Sequence, residues 1–249
     1  MRRRCCRGFV RRIFVGGFRV STVLLACSAL LACQPRPTAE QPVRASQFEI
    51  DAVAKSDVDM VAETSIDQSF RYLRELARKL YVRNPDQLQR GRYKTRAAAM
   101  NALFGLRRLK HYPDLQGRRS SAAIHLAFDE NYRGDRVAAF VEGMRTMLID
   151  GYGGRSEFYL HNVLDPQKLH YLARNYEIAF WKLQHDRDPR GRLYLFSNSL
   201  EGSGDLSFER LAGKLIALQD YMAQVVADSS NRQIKNIIQS VASAVFFPI

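Results

Sequence analysis

Acid–base chemistry in this chain would fall to Asp129, Glu130 and Glu157, carboxylates set among arginines, tyrosines and glycines in the segments Asp129–Arg136 and Gly151–Tyr159. Paired carboxylates can divide the work of a general acid and a general base. These segments flank one helical stretch, however, and at about 1.5 Å per residue that helix holds its ends about 20 Å apart. Helix caps and loop ion pairs account for the same residues without catalysis. Metal chemistry has less to draw on. His111, His125, His161, His170 and His185 include no pair at i, i+4 and no His-Glu-x-x-His, the spacing that puts two imidazoles on one helix face. Asp186-Arg187-Asp188-Pro189-Arg190-Gly191 has the acids at positions one and three and the glycine at six that a calcium loop needs, but Arg190 and Ser197 stand at five and twelve, where oxygen ligands belong. It reads as a turn. Gly202-Ser203-Gly204 lacks the spacers of a nucleophile elbow and reads as a flexible loop. The residues predict no metal, no cofactor and no catalytic constellation.

The elements that would position these residues are helices. Phe48, Val53, Ala54, Val58, Val61 and Ala62 recur at roughly helical spacing, and Ile66, Phe70, Leu73, Ala77 and Leu80 continue it after a cap at Thr64 or Ser65, giving one broken helix or two. Asn84-Pro85 predicts the next start, with Asn at the cap and Pro at the first helical position, and Gly91 its end. Tyr93, Ala97, Met100, Leu103 and Phe104 form a stripe stopped by Tyr112-Pro113, and Ser120 or Ser121 caps Ala122–Phe128. The clearest helix places Val137, Phe140, Val141, Met144, Met147 and Leu148 on one face and ends at Gly151-Tyr152-Gly153-Gly154. Asp165-Pro166 opens another, with Leu169, Leu172, Ala173, Tyr176, Ala179, Phe180 and Leu183 on one side. Leu193–Phe196 predicts a short strand. Ser207 caps a helix through Val226, Asp228–Asn231 predicts a turn, and Ile234–Ala242 a last helix. No helical repeat emerges. The expectation is an all-α domain, an irregular multi-helix bundle of about six to nine helices with at most a short strand or hairpin.

Ahead of these helices lies a different kind of segment. Arg2, Arg3, Arg4, Arg7, Arg11, Arg12 and Arg19, with no acid before Glu40, precede the apolar run Val20–Ala32, the charge and hydropathy order of a secretory signal peptide. A helix over that run spans only about 20 Å, short of a hydrocarbon core of about 30 Å. The run ends in Leu30-Leu31-Ala32-Cys33. This sequence resembles the lipobox of bacterial lipoproteins: an aliphatic residue, a small or aliphatic one, a Gly, Ala or Ser, then Cys, with Leu31 the less usual choice at its position. The resemblance covers only the first 33 or so residues. It implies that the Cys33 thiol receives a diacylglycerol, that the signal is cut before it, and that the new amino terminus is acylated, and two or more chains hold a protein stably on a bilayer. Gln34 follows, where Asp is the usual inner-membrane retention signal, so the resemblance implies the outer membrane, facing the periplasm. Arg11-Arg12-Ile13-Phe14-Val15 is similar to a twin-arginine core and leaves the export route open. The chain then divides into a signal peptide (1–32), a lipidated cysteine with a Pro-rich tether (33–45) and a single helical globular domain (46–249).

Cys5, Cys6, Cys27 and Cys33 all lie at or before that boundary, which excludes disulfides, zinc–thiolate sites and a cysteine nucleophile from the helical domain. The net charge of +13 falls to +6 once the seven signal arginines are set aside. It is unevenly spread: Arg71–Arg119 holds 14 Lys or Arg against 3 acids. Arg90, Arg92, Lys94, Arg96, Arg107, Arg108 and Lys110 therefore form a candidate patch for an anionic partner, an envelope protein, an anionic lipid or a glycan. Solvated faces of amphipathic helices are the plainer account. Nucleic acid is not expected in a periplasm-facing position. The expected function is that of an envelope lipoprotein with a helical binding or scaffold domain. The alternative is a periplasmic enzyme acting on an envelope substrate with acids from Asp129, Glu130 and Glu157.

Overall fold

The first helix begins where the sequence satisfies its own first turn. Ser56 Oγ accepts from Asp59 N at 3.2 Å while Asp59 Oδ2 accepts from Ser56 N at 2.8 Å, a reciprocal capping box. From there α1 runs unbroken over Asp57–Arg83. In this computed structural model the described residues are 56–105, 112–154, 164–197 and 206–244, with side chains described as far as residue 229, and all fall in the unit Glu49–Ile249. Cys33 and its tether, Arg107, Arg108, Lys110, His111, Glu157, His161 and the Gly202–Gly204 loop lie outside them. After α1 come α2 (Asp86–Arg90), α3 (Arg96–Phe104), a 3-10 turn (Pro113–Leu115), α4 (Ser120–Ala127), α5 (Arg136–Gly151), α6 (Pro166–His185) and α7 (Ser207–Ala244). The described residues thus form an all-α bundle of seven helices with no strand. None of their helices is long and apolar enough to cross a membrane.

The core is built around α5. Its residues Arg136–Leu148 are all buried, so the expected apolar stripe is only one side of a helix enclosed on every side. α5 packs against α4, α1, α6 and α3, while α7 packs along α6 and α1. The α4–α5 approach depends on Gly143: a Cβ there would stand 2.8 Å from Ser120 O and 2.9 Å from Ile124 N, closer than packed atoms sit. Several polar groups drawn into this core are matched, although Tyr112 Oη is buried without a hydrogen-bond partner among the described residues. Tyr152 Oη donates to Gln219 Oε1 (2.9 Å) and shares a hydrogen bond with Ser65 Oγ (3.0 Å), and Gln219 Nε2 donates to Ser69 Oγ (2.8 Å). These contacts tie α1, the end of α5 and α7 together. Arg145 meets Glu142 through Nε and Nη2 of its guanidinium, at 2.7 and 2.6 Å, with the two side chains 4% and 3% exposed.

Several expected breaks are absent, each for a local reason. Thr64 and Ser65 do not cap a new helix, because Thr64 Oγ1 donates back to Met60 O (2.9 Å) and Ser65 is held by Tyr152. Asp228–Asn231 does not turn the chain: Gln224 Nε2 donates to Asp228 Oδ1 and Ser229 Oγ to Val226 O, and with no Gly or Pro there α7 continues. Neither serine caps α4 with its side chain; Ser120 Oγ donates to Asp150 Oδ2 and its N donates to Thr146 Oγ1. Thr95 caps α3 through Ala98 N (3.2 Å), and this register buries Ala99 and Leu103 and leaves Ala97 exposed. Leu193–Phe196 is not a strand. It makes one antiparallel bridge, Arg187 to Leu193, because the Phe196 backbone is bonded to the side chain of Asn84 instead. The α6 expectation is met in full: Asp165 Oδ1 accepts from Gln167 N, Pro166 opens the helix, and all seven stripe residues are buried.

The enclosed pair on α5 generates a stability test. Arg145→Met leaves the Glu142 carboxylate buried without its partner and is expected to cost about 3–5 kcal/mol. The double change Glu142→Leu/Arg145→Met restores most of that loss, as read from urea unfolding midpoints of the three proteins.

Candidate functional site

A cleft of about 610 Å³ opens where the end of α1, the start of α5 and the turn after α6 meet. Its position follows from how α1 ends. Pro85 cannot continue the α1 hydrogen-bond ladder, and Asn84 becomes the C-cap, with Nδ2 donating to Leu80 O (2.8 Å) and Phe196 O (2.9 Å) and Oδ1 accepting from Phe196 N (2.7 Å). Asn84 therefore closes α1 and straps the distant loop to it, where the sequence suggested the start of α2. The strapped loop is itself a tight turn: Asp188 N donates to Arg192 O, Gly191 adopts φ 76°, and Asp188 Oδ1 accepts from Arg190 N and Arg192 N. The Arg192 backbone bond, with its guanidinium on Oδ2 and Arg190 N, holds the Asp188 carboxyl below the usual carboxylate range. The stretch that has half a calcium pattern thus spends its central acid on its own turn. Among the described residues no group of three or more His, Cys, Asp or Glu could hold a metal ion.

The floor of the cleft is Arg136, 4% exposed. Its Nη1 donates to Ala127 O (2.7 Å), its Nη2 to Tyr132 O (2.8 Å) and its backbone N to Gln87 Oε1 (3.0 Å), and its guanidinium lies 4.6 Å from the centre of the Tyr194 ring. Arg90 and Arg192 form the sides, paired with Asp86 (3.1 Å) and Asp188 (2.8 Å). Arg133 and Arg190 also line the cleft and are exposed, with no ion pair among the described residues. Glu130 is the remaining acid, and Leu193, Tyr194 and Phe196 form an apolar wall.

Behind the floor is a buried carboxylate. Asp135 caps α5, Oδ1 accepting from Ala138 N (2.9 Å) and Oδ2 from Tyr81 Oη (2.7 Å), and it is 1% exposed. It fits because Gly91 leaves room: a Cβ there would come within 2.8 Å of Asp135 Cβ. Burial pushes the Asp135 carboxyl up to about 6, outweighing the hydrogen bonds that favour its ionised form.

The residues expected from sequence scatter. Arg90 and Glu130 reach the cleft. Asp129 does not line it, and its Oδ1 accepts from Asn131 N at 2.8 Å in a local turn. Arg92 pairs with Asp114 (3.9 Å), Lys94 Nζ donates to Gln89 O (2.8 Å), and Arg96 stands exposed at the start of α3. His170 lies 3.9 Å from Asp220, and His185 is stacked on Trp181 with its Nδ1 at Trp181 O. Arg107, Arg108, Lys110, Glu157 and Cys33 fall outside the described residues. Four cleft arginines, Arg133, Arg136, Arg190 and Arg192, are not in the expected patch. The only signal for the first two was their place in the polar segment Asp129–Arg136, and the last two sit in the turn. No protein-family model matches this chain, and comparison with curated proteins and with solved structures gives no match either.

The Asp135 carboxyl predicts a pH dependence. Its folded value lies above its ordinary value of 3.8, so between about pH 4 and pH 6 the folded chain keeps a proton that the unfolded chain releases, and stability falls as pH rises through that window by on the order of 2–3 kcal/mol. Asp135→Asn keeps an acceptor for Ala138 N and removes this contribution. Urea unfolding of both proteins at pH 4.5 and pH 7 is expected to show a larger decline for the wild type.

Proposed function

We propose that this chain is a lipoprotein of the bacterial cell envelope, acylated at Cys33 and tethered to the outer membrane facing the periplasm, whose helical domain binds an anionic partner. The lipobox-like Leu30-Leu31-Ala32-Cys33 after a basic and apolar leader supports the anchor. Binding rests on one observation: the cleft holds more guanidinium groups than carboxylates, and two of its three carboxylates are already paired with arginine. Such a lining suits charge recognition. An acid–base pair would need two carboxylates free to exchange protons, and of Asp129 and Glu130 only Glu130 lines the cleft, Glu157 lying outside the described residues. An anionic lipid, a glycan or an envelope protein could each present such a ligand.

The anchor is tested with the full chain and Cys33→Ser, expressed with an alkyne fatty acid. The wild type is expected in the outer-membrane fraction carrying the label, and the variant unlabelled and released from membranes. A variant that sediments with the outer membrane as the wild type does, at the same apparent mass, sinks the anchor.

A further inference from the structure

The chemistry of the anion follows from the charge and walls of the cleft, resting on the reading above that this is a binding domain. Five guanidinium groups, Arg90, Arg133, Arg136, Arg190 and Arg192, face three carboxylates, Asp86, Glu130 and Asp188, an excess of two positive charges. Most of these groups are spoken for. Arg90 and Arg192 are held by Asp86 and Asp188, and the fork of Arg136 is closed on the carbonyls of Ala127 and Tyr132, so it contributes charge and little donor capacity. Arg133 and Arg190, from opposite sides in sequence of α6, keep their full donor sets.

One guanidinium fork satisfies the two oxygens of a monocarboxylate. Two open forks above an excess of two charges call for a group with more oxygens and about twice the charge. A phosphomonoester has three terminal oxygens and carries about −1.5 to −2 at pH 7. The rest of the lining speaks to the organic part. Leu193 and Phe196 present apolar surface, Phe196 being 39% exposed while its backbone is fixed by Asn84. Glu130, with no ion pair among the described residues, is an acceptor for a hydroxyl. The cleft, at about 610 Å³, has the volume of a small-molecule site, roughly 300–1,000 Å³, more than a bare ion fills.

We propose that this cleft binds a phosphomonoester, its phosphate held by Arg133 and Arg190 over the buried charge of Arg136 and its organic part lying on Leu193 and Phe196. The ester could be supplied as a soluble sugar phosphate or as a lipid headgroup, and the two sources share the recognised chemistry.

The test is calorimetric titration of the full-length protein in neutral detergent with four probes: glucose 6-phosphate, dioctanoyl phosphatidic acid, glucuronate and inorganic phosphate. At least one of the two esters is expected to bind about tenfold or more tightly than glucuronate and than inorganic phosphate. Arg133→Gln/Arg190→Gln, two exposed substitutions, is expected to weaken that ester about tenfold or more through loss of charge-assisted hydrogen bonds, with an unchanged urea midpoint. A preference for glucose 6-phosphate assigns a soluble ligand, and a preference for phosphatidic acid assigns a headgroup. Glucuronate binding as tightly as both esters, and lost in the double variant, overturns the phosphomonoester while leaving an anion-binding domain. Ester binding undiminished in the double variant overturns the placement. No binding of any of the four probes overturns both the phosphomonoester and the anion-binding reading.

Discussion

A helix enclosed on every side cannot leave a charge uncompensated, and α5 is such a helix. Isolated charges in a low-dielectric interior cost several kcal/mol each, so the polar residues of Arg136–Leu148 find partners close at hand. Glu142 and Arg145 face each other one turn apart, Thr146 Oγ1 donates back to Glu142 O and accepts from Ser120 N, and Arg136 is bonded to two carbonyls. The two ends of α5 are then the points where the rest of the bundle attaches through hydrogen bonds. At the C-terminal end Tyr152 joins α1 to α7. At the N-terminal end Asp135 and Arg136 reach Tyr81, Gln87 and the aromatic rings beside the cleft.

Much of this fold is legible in the sequence where burial has a single direction. α6 is the clearest case, with one apolar stripe, one cap and one proline, and the structure buries that stripe residue for residue. The α5 stripe is equally visible, yet nothing in the spacing shows that the opposite face, with Glu142 and Arg145, is buried too, since that depends on what packs there. The breaks expected in α1 and α7 have a common origin. Ser, Thr, Asp and Asn favour helix ends because their side chains compete for backbone groups, but Ser65 finds Tyr152, 87 positions away, and Ser229 returns to its own helix. The site is less legible. Arg90 and Glu130 are recognisable as candidates, whereas their meeting with Arg190 and Arg192 requires the turn after α6 to be folded back onto the end of α1.

Charge along the chain is likewise a poor map of charge in space. Several described cations of the basic stretch Arg71–Arg119 are engaged locally. Arg78 is paired with Glu75, Arg92 with Asp114, and Arg74 Nη2 donates to Phe104 O beneath its ring contact with Phe104. The cleft draws one arginine from this stretch, two from the segment ahead of α5 and its first turn, and two from the turn after α6. A positive site arises because the fold brings five arginines from three segments to one cleft that only three carboxylates share.

The Asn84 clamp sets the order in which that site can be assembled. It joins backbone groups of Phe196 to a side chain 112 residues earlier, and the entropy lost in closing so long a loop must be met before two hydrogen bonds offset it. Local helices need no such closure, whereas the apolar wall of the cleft depends on this long-range contact. A fragment that separates Asn84 from Phe196 loses the clamp that fixes the apolar wall of the cleft.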